Sequence, residues 1–316
     1  MKMINLIDVT LRDGGHAVKF DWPMKFAQDY YSLMSKTNDV NYVELGYWGQ
    51  TAKSTNTFYN LNYDSVLEIT QGKKNNNVSI MIDYHYCGHN VVDYPTLDQS
   101  EISMIRMCSR KQDIPDALTF GERLKKHTGI PISLNVFNSS SYTEDELAAI
   151  ARAVADYPFD YVYFADTHGC LDFRYDYVRF EEAVKILKNS GKKVGMHLHD
   201  HNGKAFLNYT LLENLKIDST DTSVRGMGKG SGNLKLEHVV DKKDLAELAN
   251  LIVNNEDILT MKPIPYELIT SKYGLTDNYA KQGKDLQMNI KIFDKICSSI
   301  SGQDKDTYDK GLLLKP

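Results

Sequence analysis

At 316 residues, 42% of them hydrophobic and 25% charged, the chain carries enough apolar material for one large core. Its formal net charge of -5 gives no electrostatic basis for nucleic acid or an anionic membrane as partner. No stretch approaches the ~20 apolar residues of a membrane span, and Met1–Asp8 has no apolar leader-type run. The scattered Cys87, Cys108, Cys170 and Cys297 read as reduced thiols, and a cytoplasmic protein is expected.

In chain order, a short apolar run followed by a longer helical one recurs. Strands are predicted at Asn5–Val9, Tyr42–Gly46, Val78–Tyr84, Ile102–Met107, Ile132–Val136, Tyr161–Ala165, Val194–Leu198 and Thr222–Arg225. Runs such as Val78-Ser79-Ile80-Met81-Ile82 are nearly continuous in apolar residues, as in parallel strands covered on both faces. Pro23 opens a first helix reaching Lys36, with Phe26, Tyr30, Leu33 and Met34 on one face. Only a short helix, Thr96–Gln99, is placed after the third strand. Thr143-Glu144-Asp145-Glu146 forms a capping box before a Leu147–Tyr157 helix. Tyr177–Asn189 stops at Gly191, and Ala205–Leu215 shows similar spacing. These alternating units imply a (β/α)8 TIM barrel over residues 1–242. Residues 243–316 lack strands and read as a carboxy-terminal helical segment, with helices at Leu245–Val253, Tyr266–Tyr273 and Ile290–Ser299.

Barrel enzymes build their sites at the carboxyl ends of the strands, and the motifs that carry chemistry fall there. Arg12, Asp13 and His16 follow the first strand around Gly14 and Gly15, placing a guanidinium, a carboxylate and an imidazole on one turn. His197 and His199 end the seventh strand, where alternate residues share a face. Two imidazoles and a carboxylate from another element make an N₂O set suited to Mn²⁺, Zn²⁺, Co²⁺ or Fe²⁺. After the sixth strand, Asp166 reads as a partner to a ligating histidine or as a turn residue, and His168 as a substrate contact. The glycine-rich run from Arg225 to Asn233 exposes backbone donors, though it matches no Walker or dinucleotide fingerprint. Glu44 closes the second strand at the same end of the barrel. The Tyr84–His89 run and Cys170 lack the spacing or partners of a metal or nucleophile site, and His127 and His238 read as incidental.

Thr10-Leu11-Arg12-Asp13-Gly14 opening a barrel, His197-x-His199 on the seventh strand and the glycine-rich loop ending at Asn233 together resemble the DRE-TIM metallolyases. In this HMG-CoA lyase-like family the Arg12–Val18 stretch looks closest to the 4-hydroxy-2-oxovalerate aldolase branch. The resemblance implies that Asp13, His197 and His199 hold a divalent metal, Mn²⁺ foremost, with Mg²⁺, Co²⁺ or Zn²⁺ as alternatives. It implies further that Arg12 stabilises an enolate oxygen, Asn233 stands near the metal and His16 is a catalytic histidine. A carboxy-terminal tyrosine near the site would be Tyr279, or Tyr273. Glu44, Asp166 and His168 would contact substrate or support the ligands. The implied reaction joins pyruvate to an aldehyde, or cleaves a 4-hydroxy-2-oxoacid. The partners implied are those small molecules, an acylating aldehyde dehydrogenase and a homo-oligomeric assembly. There are departures: Asp200 stands before His201-Asn202 where the aldolases read His-x-His-His-Asn, and Ala165 replaces the lysine of the carboxyltransferase branch. An acyl-CoA Claisen enzyme and a catalytically inactive metal-binding barrel are the alternatives, the latter disfavoured by the joint presence of Arg12, Asp13, His16, His197 and His199. Aldehyde selection is expected from loops around Tyr47-Trp48, His85–His89 and Asn138–Tyr142.

Overall fold

The computed structural model describes residues 4–52, 54, 56–73, 77–98 and 101–314. Eight strands run in parallel: β1 (Asn5–Asp8), β2 (Val40–Tyr47), β3 (Val78–Asp83), β4 (Ile102–Ser109), β5 (Ile132–Val136), β6 (Tyr161–Asp166), β7 (Lys193–Leu198) and β8 (Ser219–Thr222). They close in chain order, with β8 pairing back onto β1. The helices between them are α1 (Gly15–Val18), α2 (Met24–Met34), α3 (Tyr63–Thr70), α4 (Ile114–Thr128), α5 (Glu144–Ala155), α6 (Phe173–Asp176), α7 (Val178–Asn189) and α8 (Ala205–Leu211). The capping box forms as its spacing predicts: Thr143 Oγ1 accepts from Glu146 N at 3.3 Å, and Glu146 Oε2 from Thr143 N at 3.0 Å. Among the described residues, no helix is long and apolar enough to cross a membrane.

Strand alternation sorts the side chains. Val162 and Phe164 of β6 join the large core between barrel and helices, where Phe164 meets Phe180 of α7. The opposite face points into the barrel, where Ile7, Val9, Met104, Tyr161 and Tyr163 form a separate apolar floor. Above that floor, fully buried Arg106 lies with its guanidinium carbon 4.4 Å from the Tyr163 ring centre. The Tyr163 ring also covers the β7 backbone: a Cβ at Gly195 would stand 2.2 Å from a Tyr163 ring carbon. Glycine there is a packing requirement.

The structure departs from the sequence reading in several places. β8 is Ser219–Thr222, three residues earlier than the predicted Thr222–Arg225. Ser219-Thr220-Asp221-Thr222 contains no strongly apolar residue, so hydrophobic patterning passes over it, although all four side chains are buried. Thr96 and Leu97 are not helical, while Gln99 lies outside the described residues. The helices α3, α4 and α11 (Asp277–Asp285) are additions, and α8 tightens into a 3₁₀ turn at Leu212–Leu215. In the carboxy-terminal segment, Leu248 and Leu251 of α9 (Leu245–Asn254) join the barrel's outer core. A separate cluster of Leu275, Tyr279, Phe293, Cys297, Ile300 and Leu313 holds α10 (Tyr266–Tyr273), α11 and α12 (Ile290–Ser299) together.

Replacing Gly195 with Ala forces Tyr163 off the β7 backbone. Equilibrium denaturation is expected to show a loss of about 1–3 kcal/mol, the usual cost of overpacking.

Candidate metal centre and active site

After β1 the chain turns sharply, with Asp13 N donating to Val9 O at 2.7 Å. This turn aims Arg12 and Asp13 into a cavity of about 240 Å³ at the carboxyl end of the barrel. β7 brings His197 and His199 into the same wall, and Asp13, His197 and His199 place one ligand atom each within 4.8 Å of one another. All three are buried. Asn233 bridges to His199, and its Nδ2 donates to Asp13 Oδ2 at 2.7 Å. A Cβ at Gly228 would stand 2.7 Å from Asp13 Oδ2 and 2.5 Å from Asn233 Nδ2. The glycine-rich loop therefore lets its backbone approach the carboxylate closely.

The hydrogen bonds on the far side of each ring fix the tautomers. His197 Nδ1 lies 2.8 Å from Asp221 Oδ2, and His199 Nδ1 lies 3.1 Å from the Gly232 carbonyl. Both partners are acceptors, so each Nδ1 carries the proton and each Nε2 is left with a lone pair. Yet the two Nε2 atoms face each other at 3.1 Å. Two lone pairs at that distance repel, and a cation bound to both nitrogens relieves the repulsion. Burial alone would raise the Asp13 carboxyl, but Arg12 and the neighbouring histidines override it and hold it well below the ordinary carboxylate range. Asp13 is thus an anionic carboxylate beside two imidazole lone pairs, and the buried Asn233 Oδ1 is a further acceptor without a hydrogen-bond donor among the described residues. These groups fit a divalent cation of the type bound by imidazole and carboxylate.

A chain of buried charges supports the group. Arg12 donates to Asp13 Oδ1 at 2.6 Å and to Glu44 Oε1 at 2.5 Å. Glu44 Oε2 accepts from Arg106 at 3.1 Å, and Arg106 donates to both Asp221 oxygens at 2.9 and 2.7 Å. Asp221 then holds His197. Glu44 was visible in the sequence as a strand-end carboxylate; Arg106 and Asp221 were not, because they lie mid-strand inside the barrel. The only sequence cue was a charge interrupting otherwise buried β4, Ile102–Ser109.

The other expected site residues separate into two groups. His16 lines the cavity with its ring open to solvent, and its Nε2 lies 3.3 Å from the Tyr47 hydroxyl. Tyr279, by contrast, is turned into the carboxy-terminal cluster, where its hydroxyl donates to Asp304 O at 2.9 Å. The tyrosines on the cavity wall are Tyr47, Tyr59 and Tyr86. Tyr273 likewise bonds away from the cavity, to Asp294 at 3.0 Å. Asp166 accepts from Cys170 N and Leu171 N at 2.9 and 3.1 Å, bracing its own turn, and burial pushes its pKa up to about 6. His168 pairs with Asp306 at 2.9 Å, beyond the cavity lining, while its neighbour Thr167 lines the wall. Lys229 also lines the wall and reaches Asp277 of α11 at 3.1 Å.

Once this geometry is in view, the chain can be placed among known proteins. An eight-stranded barrel with an Asp–His–His group at its carboxyl end defines a candidate metal-dependent barrel enzyme. The HMGL-like family model matches residues 103–261, and the chain belongs to this family, the DRE-TIM metallolyases. It is 23% identical over 244 residues to an oxaloacetate decarboxylase of Mycobacterium tuberculosis, covering 74% of this chain and 68% of that protein. A 4-hydroxy-2-oxovalerate aldolase of Thermus thermophilus is 31% identical over 154 residues, 48% of this chain and 42% of that one. Among solved structures, the N-terminal domain of a putative aldolase from Bacteroides vulgatus superposes with a TM-score of 0.68 at 20% identity, covering 91% of this chain and 98% of that one.

Asp221→Asn removes the carboxylate that sets the His197 ring. Isothermal titration with Mn²⁺ is expected to show affinity reduced by about 10–100-fold, and unchanged affinity would reject Asp221 as the group orienting a ligand. Asp277 gives a pH-dependent test of the α11 contact. Burial would raise its pKa, but Lys229 and Lys281 override this and hold it below the ordinary range. Its stabilisation is therefore present above the unfolded value of about 4 and fades as pH falls towards the lower folded value. Asp277→Asn should cost about 2 kcal/mol at pH 7, with the difference from wild type narrowing below about pH 4 in pH-resolved denaturation.

Proposed function

We propose that the protein is a divalent-metal-dependent pyruvate aldolase, forming or cleaving a 4-hydroxy-2-oxoacid. The observation that carries this reading is the pair of histidine lone pairs facing each other beside the Asp13 carboxylate, with Arg12 in the same cavity wall. Asp13, His197 and His199 would hold the ion, with Mn²⁺ the first choice for an N₂O set. Such an ion supplies Lewis acidity towards the keto oxygen of a 2-oxoacid.

The chain's own residues divide the remaining work. Arg12 spends one N–H on Glu44 and one on Asp13, which fixes its plane and leaves further donors towards the cavity. A fixed guanidinium stabilises negative charge on an enolate oxygen with little reorganisation. In the cleavage direction, His16 accepts the proton of the substrate 4-hydroxyl. The bond between carbons 3 and 4 breaks, its electron pair passes to the enolate of pyruvate, and the aldehyde departs. Protonation of the enolate carbon then gives pyruvate, and reversal joins pyruvate to an aldehyde. Tyr47, whose hydroxyl lies beside His16 Nε2, positions that ring. Relatives named 4-hydroxy-2-oxovalerate aldolase support this reaction, and relatives named 2-isopropylmalate synthase and homocitrate synthase keep acyl-CoA Claisen chemistry as the second reading.

With Mn²⁺ present, the protein should release pyruvate from 4-hydroxy-2-oxoacids and exchange the methyl protons of pyruvate in D₂O. Absence of both activities would reject the enolate chemistry. His16→Ala is expected to slow cleavage by about 10²–10⁴-fold, measured by coupled pyruvate detection.

A further inference from the structure

The cavity has a second polar pole that the steps above leave unused. Asp83, the last residue of β3, accepts from both terminal nitrogens of Arg110 at 2.8 and 3.3 Å. Arg110 directly follows β4, and both side chains line the cavity while remaining partly exposed. The Arg110 guanidinium carbon lies 5.0 Å from the Tyr86 ring centre and 5.4 Å from that of Phe137. These contacts hold the ion pair in one orientation on the wall.

The chemistry of the pair limits what it recognises. Asp83 already compensates the Arg110 charge, so a substrate carboxylate arriving there would meet a like charge and find no free cation. Lys229 is likewise partnered, with Asp277, while Arg12 belongs to the Asp13 group where the enolate forms. An alkyl chain would strip water from the pair and return no hydrogen bonds, which is costly. A hydroxyl group both donates and accepts. It can take an N–H of Arg110 that Asp83 leaves free and donate to a carboxylate lone pair. Beside the pair the wall presents the hydroxyls of Tyr47, Tyr59 and Tyr86 and the amides of Gln50 and Asn135, between apolar surfaces of Met81, Phe137 and Ala165.

We infer that the aldehyde partner is neutral and polyhydroxylated, and that the Asp83–Arg110 pair reads its hydroxyls. This rests on the pyruvate aldolase reading for the aldehyde group itself, while recognition of the hydroxyls stands on the Asp83–Arg110 wall alone. Two measurements separate the parts. In the first, Mn²⁺-loaded protein condenses pyruvate with D-erythrose or D-glyceraldehyde, with butanal or propanal, and with succinic semialdehyde. The hydroxylated aldehydes should be preferred in kcat/KM by about tenfold or more. Arg110→Met should reduce that preference by about tenfold or more, as should Asp83→Asn combined with Arg110→Gln, which leaves no unpaired charge. Equal or better use of the alkyl or anionic aldehydes overturns the inference. In the second, ligand-observed NMR follows erythritol, which cannot react. Binding to wild type that is lost in both folded variants supports the hydroxyl site, whereas no binding, or binding unchanged in the variants, overturns it. If pyruvate exchange fails but erythritol binding depends on Arg110, the aldolase reading falls and the hydroxyl-recognising wall stands.

Discussion

The position of one proton, on Nδ1 of His197, governs the arrangement of the site. Asp221 holds it there at 2.8 Å and so leaves the Nε2 lone pair facing His199. Asp221 is itself held by Arg106, Arg106 by Glu44, Glu44 by Arg12, and Arg12 by Asp13. The series alternates in sign and returns to the cavity where it began, linking the β1 turn to β2, β4, β8 and β7. Buried charges are expensive when unpaired, and here each carboxylate of the series meets a guanidinium. Removing one member would strand its neighbours in a dry interior, so the energies of the set are coupled.

That series needs a container, and the barrel provides one in layers. The floor is apolar, made by Ile7, Val9, Met104, Tyr161 and Tyr163. The charged layer rests on it, with the Tyr163 ring against the Arg106 guanidinium and the Tyr163 hydroxyl 2.6 Å from Ser219. Above this layer the interior opens into the cavity. Water is therefore excluded from below the ligands but admitted from above, which suits a site that must both hold a cation and receive a substrate.

The carboxy-terminal helices act on the same face. Ser271 donates to Gly169 O at 2.7 Å, Asp306 receives Asn138 and His168, and Asp277 receives Lys229. The loops after β5, β6 and β8 are thus tied to a segment with its own apolar cluster. His168 and Tyr279, expected as site residues, serve this attachment. Their side chains point into the seam and the cluster, away from the cavity.

Much of the architecture was legible in the chain. Several strands, β3 among them, announced themselves through nearly continuous apolar runs, and the capping box at Thr143 marked α5. Hydrophobic patterning failed at β8, whose residues are polar yet buried, because their partners come from β1, β4 and β7. The Asp13, His197 and His199 group was readable because strand alternation and barrel polarity are local rules. By itself, the sequence determined a barrel of this family and a cluster of potential ligands at one of its ends. Only the tertiary structure decided which carboxylate orients His197, which tyrosines line the cavity and which ion pair stands opposite the ligands. Those pairings join residues far apart in the chain, such as Arg106 with Asp221 and Arg12 with Glu44. Closure of the barrel brings them together, and no local spacing encodes it.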